Sequence, residues 1–205
     1  LRPDPQIAHR TERPFSIVYT PLHGAGTRLV PQALSRAGYR QVRVVPQQQI
    51  PDGEFPTVQS PNPENPEAFA LARELARREK ADLILATDPD CDRLGVMAPK
   101  DGDYAPLTGN QMGCLMLDYM LSKPHPDNAY IVKTIVTTQM ANAIAADQGI
   151  PCFEVLTGFK FIGETIERMR QAGNPNLLLG FEESYGYLSG TEIRDKDGVI
   201  ASLLA

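Results

Sequence analysis

The chain has 205 residues, 42% of them hydrophobic, and a formal charge of −5. That length and apolar content allow one large or two small domains with packed cores, and the acidic balance argues against nucleic acid as a partner. No apolar run reaches the roughly 18 residues of a membrane span, and three scattered cysteines (Cys91, Cys114, Cys152) fit neither a disulfide framework nor a metal set. No membrane partner is therefore expected, and the cysteines point to a reducing compartment, here the cytoplasm.

In chain order, residues 1–13 read as a lead-in. Phe15 to Tyr19 is an apolar, β-branched run and predicts a strand. Thr20 to Gly26 is a turn, followed by a helical pattern to about Ala37 with Gly38 at its end. The turn contains Gly-x-Gly, but Leu29 stands where a dinucleotide fingerprint needs its third Gly. His23 in this turn is a minor active-site candidate, since βα turns often carry function. Gln41 to Val45 predicts a second strand. Prolines at 46, 51, 56, 61, 63 and 66 mark the next stretch as an ordered loop. A helix is expected from Pro66 to Lys80, then a strand over 82–86. Strand, helix, strand, helix, strand predicts an open α/β sheet, with ligands beyond the carboxyl ends of its strands.

The acidic loop falls at such an end. Residues 87–93 read Thr-Asp-Pro-Asp-Cys-Asp-Arg, between apolar runs 83–86 and 94–97. Asp88, Asp90 and Asp92 offer three hard oxygen donors in five residues, which suits a small hard cation such as Mg²⁺. Arg93 beside them suits a phosphate. Together they imply phosphoryl chemistry. An EF-hand is excluded, because its sixth and twelfth loop positions need Gly and Glu and here hold Arg93 and Pro99. A solvated turn, or a phosphatase with an aspartyl nucleophile, remains open.

A hairpin-like turn at Lys100 to Asp103 closes this first unit, and a division near 105 gives units 14–105 and 106–205. Thr108-Gly-Asn-Gln heads a helix to about Leu121, with Leu107, Met112, Leu115, Met116 and Tyr119 at core spacing. Strands are expected at 130–133, 152–155 and 177–180, with helices at 138–148 and 161–171 between them. This is a second α/β unit. Three of its loops carry polar groups at strand ends or helix starts. Thr157-Gly158-Phe-Lys160 could face an anion. Gly180-Phe-Glu182-Glu-Ser184-Tyr-Gly186 could bind sugar hydroxyls. Asp195-Lys196-Asp-Gly198 precedes the last helix, and Lys133 sits at a strand end. Each alone is as well explained by an ordinary turn or a solvated lysine. The chain starts without Met and stops in a helical run, so it reads as excised from a longer protein, its second unit truncated.

Taken together, Thr20–Gly26, Thr87–Arg93, Leu107–Gln111, Thr157–Lys160, Gly180–Gly186 and Lys196–Gly198 resemble the α-D-phosphohexomutase family of phosphoglucomutases and phosphomannomutases. The segments occur in family order along nearly the whole chain, though Phe181 stands where many members have Gly. The resemblance implies two consecutive α/β domains, the second and third of four. It implies Mg²⁺ on Asp88, Asp90 and Asp92, and Arg93 against the phosphorylated serine or its phosphate. Glu182 and Ser184 would bind sugar hydroxyls, with Thr157, Gly158 and Lys160 beside them. Lys133 and Lys196 would line the phosphate and proton-transfer side. The nucleophilic serine (a Ser-His-Asn-Pro loop) and the Arg-x-Ser-Gly-Thr phosphate loop are not in this chain, so the missing first and fourth domains count as partners. The implied activity interconverts hexose 1-phosphate and hexose 6-phosphate through a phosphoserine and a bisphosphate. An autonomous Mg²⁺-dependent phosphatase and a non-catalytic sugar-phosphate-binding module are the alternatives.

Overall fold

The computed structural model describes residues 14–205; the lead-in 1–13 lies outside the described residues. The first unit runs β1 (Ser16–Thr20), α1 (Gly26–Arg36), β2 (Gln41–Val44), α2 (Ala70–Glu79), β3 (Leu83–Thr87), β4 (Leu94–Lys100) and β5 (Asp103–Leu107). Its sheet has the order β2-β1-β3-β4-β5. β1 pairs in parallel with β2 and β3, whereas β4 and β5 are antiparallel additions. The apolar run after the acidic loop is therefore a strand folded back beside β3. Asp101 and Gly102 both have positive φ in the β4–β5 turn. That geometry matches the right-handed strand twist, as Asp-Gly predicts.

All five β1 residues are buried, as in a central strand covered on both faces. The edge is fastened instead. Arg73 and Arg77 of α2 both reach Asp103 of β5, at 2.6 and 2.7 Å. Hydrogen bonds from Arg77 hold the Asp103 carboxyl well below the usual range. β5 also carries the first sheet to Leu107, two residues past the expected division. The helix expected from Pro66 begins as a 3₁₀ turn, Pro66–Phe69, and becomes α-helical at Ala70. It stops at Lys80, which takes the left-handed conformation.

The second unit runs α3 (Gly109–Leu121), β6 (Tyr130–Thr134), α4 (Met140–Asp147), β7 (Cys152–Val155), α5 (Phe159–Gln171), β8 (Leu177–Phe181), β9 (Tyr187–Leu188) and α6 (Gly198–Leu204). The sheet order is β7-β6-β8-β9, with only β9 antiparallel. Thr108 and Gln111 form a reciprocal capping box at the start of α3. Met112 and Met116 of α3 are buried, but Leu115 turns outward and is 53% exposed.

Among the described residues each unit has an apolar cluster of its own, and a third, larger cluster serves both sheets. It joins Ile17, Tyr19 and Leu85 of the first to Met116, Ile131 and Phe181 of the second. α6 adds Ala201 to this core and packs against α1. Among the described residues no helix is long and apolar enough to cross a membrane.

Gly109 sits where the start of α3 meets the backbone of Glu183, and an added Cβ would strike the Glu183 carbonyl. Gly109→Ala should therefore lower stability by about 1–3 kcal/mol, the usual range for overpacking. Urea unfolding monitored by circular dichroism measures it. An unchanged midpoint would mean the two segments separate freely.

Candidate active site

The acidic loop leaves the buried end of β3 and coils at once. The Cys91 amide donates to the Asp88 carbonyl at 3.0 Å, and Cys91 takes a left-handed φ of 62°. The Asp88 side chain then accepts the amides of Asp92 and Arg93, at 3.1 and 3.0 Å. This coil brings one oxygen each of Asp88, Asp90 and Asp92 within 4.8 Å of one another. Three hard oxygens so placed fit a small divalent cation with its remaining positions taken by water or substrate.

The β1–α1 turn supports the loop from below. The Ala25 amide donates to the Pro89 carbonyl at 2.7 Å, and Gly24 lies too close to the Pro89 backbone for any Cβ. His23 has a different task. One ring nitrogen pairs with the Ile50 carbonyl and the other with Thr57 Oγ1, so the ring ties down the proline-rich loop.

Burial pushes the Asp88 carboxyl up to about 7; the charges of Asp92 and Asp90 add to this, and the Arg93 amide opposes it. Two cations adjoin the loop. Arg93 Nη1 donates to Glu64 at 2.7 Å, and its Nε lies 3.7 Å from Asp88 and 3.9 Å from Asp92. Lys196 Nζ lies 2.6 Å from Asp92 Oδ2. Burial disfavours the Lys196 ammonium, but the hydrogen bond and charge of Asp92 outweigh it, and its pKa stands above the usual value.

The segment 182–186 meets this loop directly. The Leu94 amide donates to the Tyr185 carbonyl at 3.0 Å, and Arg93 forms an antiparallel bridge with Gly186. The Gly198 amide donates to the Cys91 carbonyl at 2.9 Å, so the 195–198 loop joins the same seam. The Lys196 stem runs over Gly186, where an added Cβ would collide with it. Glu182 is buried and accepts the Gly158 amide at 2.9 Å; burial raises its pKa, against the pull of that hydrogen bond. Glu182 therefore ties the Thr157–Lys160 segment to its own. Glu183 accepts the hydroxyls of Thr134 and Thr137, both at 3.1 Å. Ser184 is half-buried beside it.

Of the other two lysines singled out from the sequence, one is buried and one exposed. Lys133 is wholly buried, its ammonium on the carbonyls of Thr134 and Thr137 and 3.6 Å from Glu154. It thus meets the two threonines whose hydroxyls Glu183 accepts. Lys160 is exposed, with Nζ 4.9 Å from the centre of the Phe161 ring. Glu64 is the participant that sequence reasoning missed. Its one local signal is the turn Pro61-Asn-Pro-Glu, in which Asn62 accepts the Glu64 amide at 2.9 Å.

The sequence profile of phosphoglucomutase/phosphomannomutase alpha/beta/alpha domain II matches residues 2–102, and that of domain III matches 108–205. The chain belongs to the phosphoglucomutase/phosphomannomutase family. A phosphoglucomutase of Staphylococcus saprophyticus is 39% identical over 186 residues, which is 89% of this chain and 34% of that protein. One from Staphylococcus aureus is 38% identical over 196 residues, 94% of this chain and 35% of that protein. The chain thus spans about a third of the length of these relatives. Among solved structures, a putative phosphomannomutase from Thermus thermophilus superposes with a TM-score of 0.76 at 24% identity, over 93% of this chain and 40% of that one. A family protein from Burkholderia thailandensis gives 0.71 at 22%, over 94% and 39%. These last two likenesses establish the shared fold.

The raised pKa of Asp88 makes a stability prediction. An acid that binds its proton more tightly when folded loses stability as pH rises from about 4, its unfolded value, through about 7. Asp88→Asn removes that charge yet keeps an oxygen for both amides. In chelator at pH 8 it should raise the melting temperature by about 2–4 °C, equivalent to about 1 kcal/mol. The gain should vanish near pH 4. A lower melting temperature at pH 8 would contradict the burial argument.

Proposed function

We propose that this chain is the metal-loop and sugar-loop portion of a phosphohexomutase that interconverts hexose 1-phosphate and hexose 6-phosphate through an enzyme phosphoserine and a bisphosphate. The observation that carries the reading is the seam. Three convergent carboxylates lie beside Arg93 and Lys196, and backbone hydrogen bonds hold the Glu182–Gly186 segment against them. Phosphoryl transfer needs positioned cations more than covalent help from the protein.

Asp88, Asp90 and Asp92 would hold Mg²⁺, which when bound neutralises charge on phosphoryl oxygens. Arg93 offers a planar fork to a phosphate at the rim of the loop. Lys196 brings an ammonium to the boundary between metal loop and sugar loop, where it can bond a phosphoryl oxygen or pass a proton to a departing hydroxyl. Glu182 and Ser184 would recognise sugar hydroxyls from the other side, with Thr157 and Gly158 on the adjoining loop. Lys133 acts from behind, by fixing the carbonyls of Thr134 and Thr137 whose hydroxyls hold Glu183.

The chain contains no Ser-His-Asn-Pro segment. Supplied with glucose 1-phosphate and its bisphosphate activator in a coupled assay, the isolated chain should stay at background. A longer protein that carries this segment and an Arg-x-Ser-Gly-Thr loop together with these two units should turn over. Hydrolysis of p-nitrophenyl phosphate by the isolated chain, lost in Asp88→Asn, would overturn the mutase reading in favour of a phosphatase.

Within the longer protein, Glu182→Gln keeps an acceptor for the Gly158 amide but removes the charge. Its kcat/KM should fall by about 10- to 100-fold, the loss of one charged hydrogen bond. The melting temperature should move by less than about 2 °C. Full activity with a collapsed melt would make the loop purely structural.

A further inference from the structure

The metal loop contains its own competitor. Arg93 follows Asp92 directly, and its Nε already lies 3.7 Å from Asp88 and 3.9 Å from Asp92. A guanidinium next to three clustered carboxylates is drawn onto them, and once there it would occupy the oxygens a cation needs. The structure holds it just beyond hydrogen-bonding distance. The Arg93 guanidinium instead donates a hydrogen bond to Glu64, at 2.7 Å.

Glu64 is built into that place. Asn62 accepts the Glu64 amide through its side chain and the Asn65 amide through its carbonyl, which fixes a tight turn. Pro63 is buried against Gly95, two residues beyond Arg93, with no room for a Cβ between them. The carboxylate is therefore anchored to β4 beside the arginine that it meets. Both side chains are about one-third exposed, at 33% for Arg93 and 35% for Glu64. The pair is reachable by solvent, so it acts by direction more than by stability.

We propose that Glu64 is a positioning residue: it draws the Arg93 guanidinium off the Asp88–Asp92 carboxylates, so that this arginine does not compete there with a divalent cation as Lys196 does on Asp92, and it presents Arg93 to a phosphate. The inference rests on the metal-site reading above. It gives the proline-rich loop a task at the site, although none of its residues is a metal ligand.

The test is a double-mutant cycle on the 205-residue chain, with Mn²⁺ as the probe, read by electron paramagnetic resonance and calorimetry. Glu64→Gln should weaken Mn²⁺ binding by about 3- to 10-fold, the span of coupling found between contacting residues. In an Arg93→Ala background the same substitution should change it by less than about 1.5-fold, because the competitor is gone. An equal loss in both backgrounds would mean that Glu64 contributes only its charge, and overturns the proposal. A second readout is independent of metal. The Arg93 side-chain ¹⁵N resonances should show hindered rotation in the wild type, with a shifted signal in Glu64→Gln. Wild-type binding with an unchanged Glu64→Gln overturns this inference alone. Failure of the wild-type chain to bind Mn²⁺ overturns the metal reading and this inference with it.

Discussion

Three carboxylates on one short turn repel one another, and that repulsion organises the surrounding structure. Asp88 is the most buried of the three, and it has accepted two backbone amides to stay there. Those bonds force the loop into its coil, which places Cys91 in a left-handed conformation and aims the Cys91 carbonyl at Gly198. Positive groups then arrive from two directions, Arg93 from the loop itself and Lys196 from the second unit.

The same requirement explains why glycines line the contact. Gly24, Gly186 and Gly198 each stand where another backbone or a lysine stem must approach closely. A side chain at any of these positions would push the 20–26 turn, the 182–186 segment or the 195–198 loop away from the acids. The second unit thus reaches the site through main-chain atoms and one lysine. Its sheet serves to hold three loop ends at one height, as parallel sheets do at the carboxyl ends of their strands.

The alternating acids, the arginine after them and the start of α3 at Thr108-Gly-Asn-Gln were legible because each is a local rule. So were the strands and helices of both units to within a few residues. The antiparallel return of β4 and β5 was half-legible: the Asp-Gly turn announced a hairpin, but periodicity does not say which neighbour a strand will choose. The short β9 was not legible, since it pairs over only two residues. Lys133 misled because a lysine at a strand end reads as available. Its burial depends on carbonyls four residues on and on Glu154 across the sheet. Glu64 and His23 were hidden for the same reason. Their partners lie 29 and 34 residues away, across a loop whose path no local rule dictates.

The shared apolar core has a consequence for how this chain comes apart. A cut after Leu107 would leave each sheet intact yet divide this cluster and part α6 from α1. The apolar surface that these two helices cover for one another would then meet water or another molecule. The two units are therefore better regarded as one cooperative body with two sheets than as beads on a string. Heat or denaturant should melt them together, and the ribosome must deliver both before either is safe from aggregation.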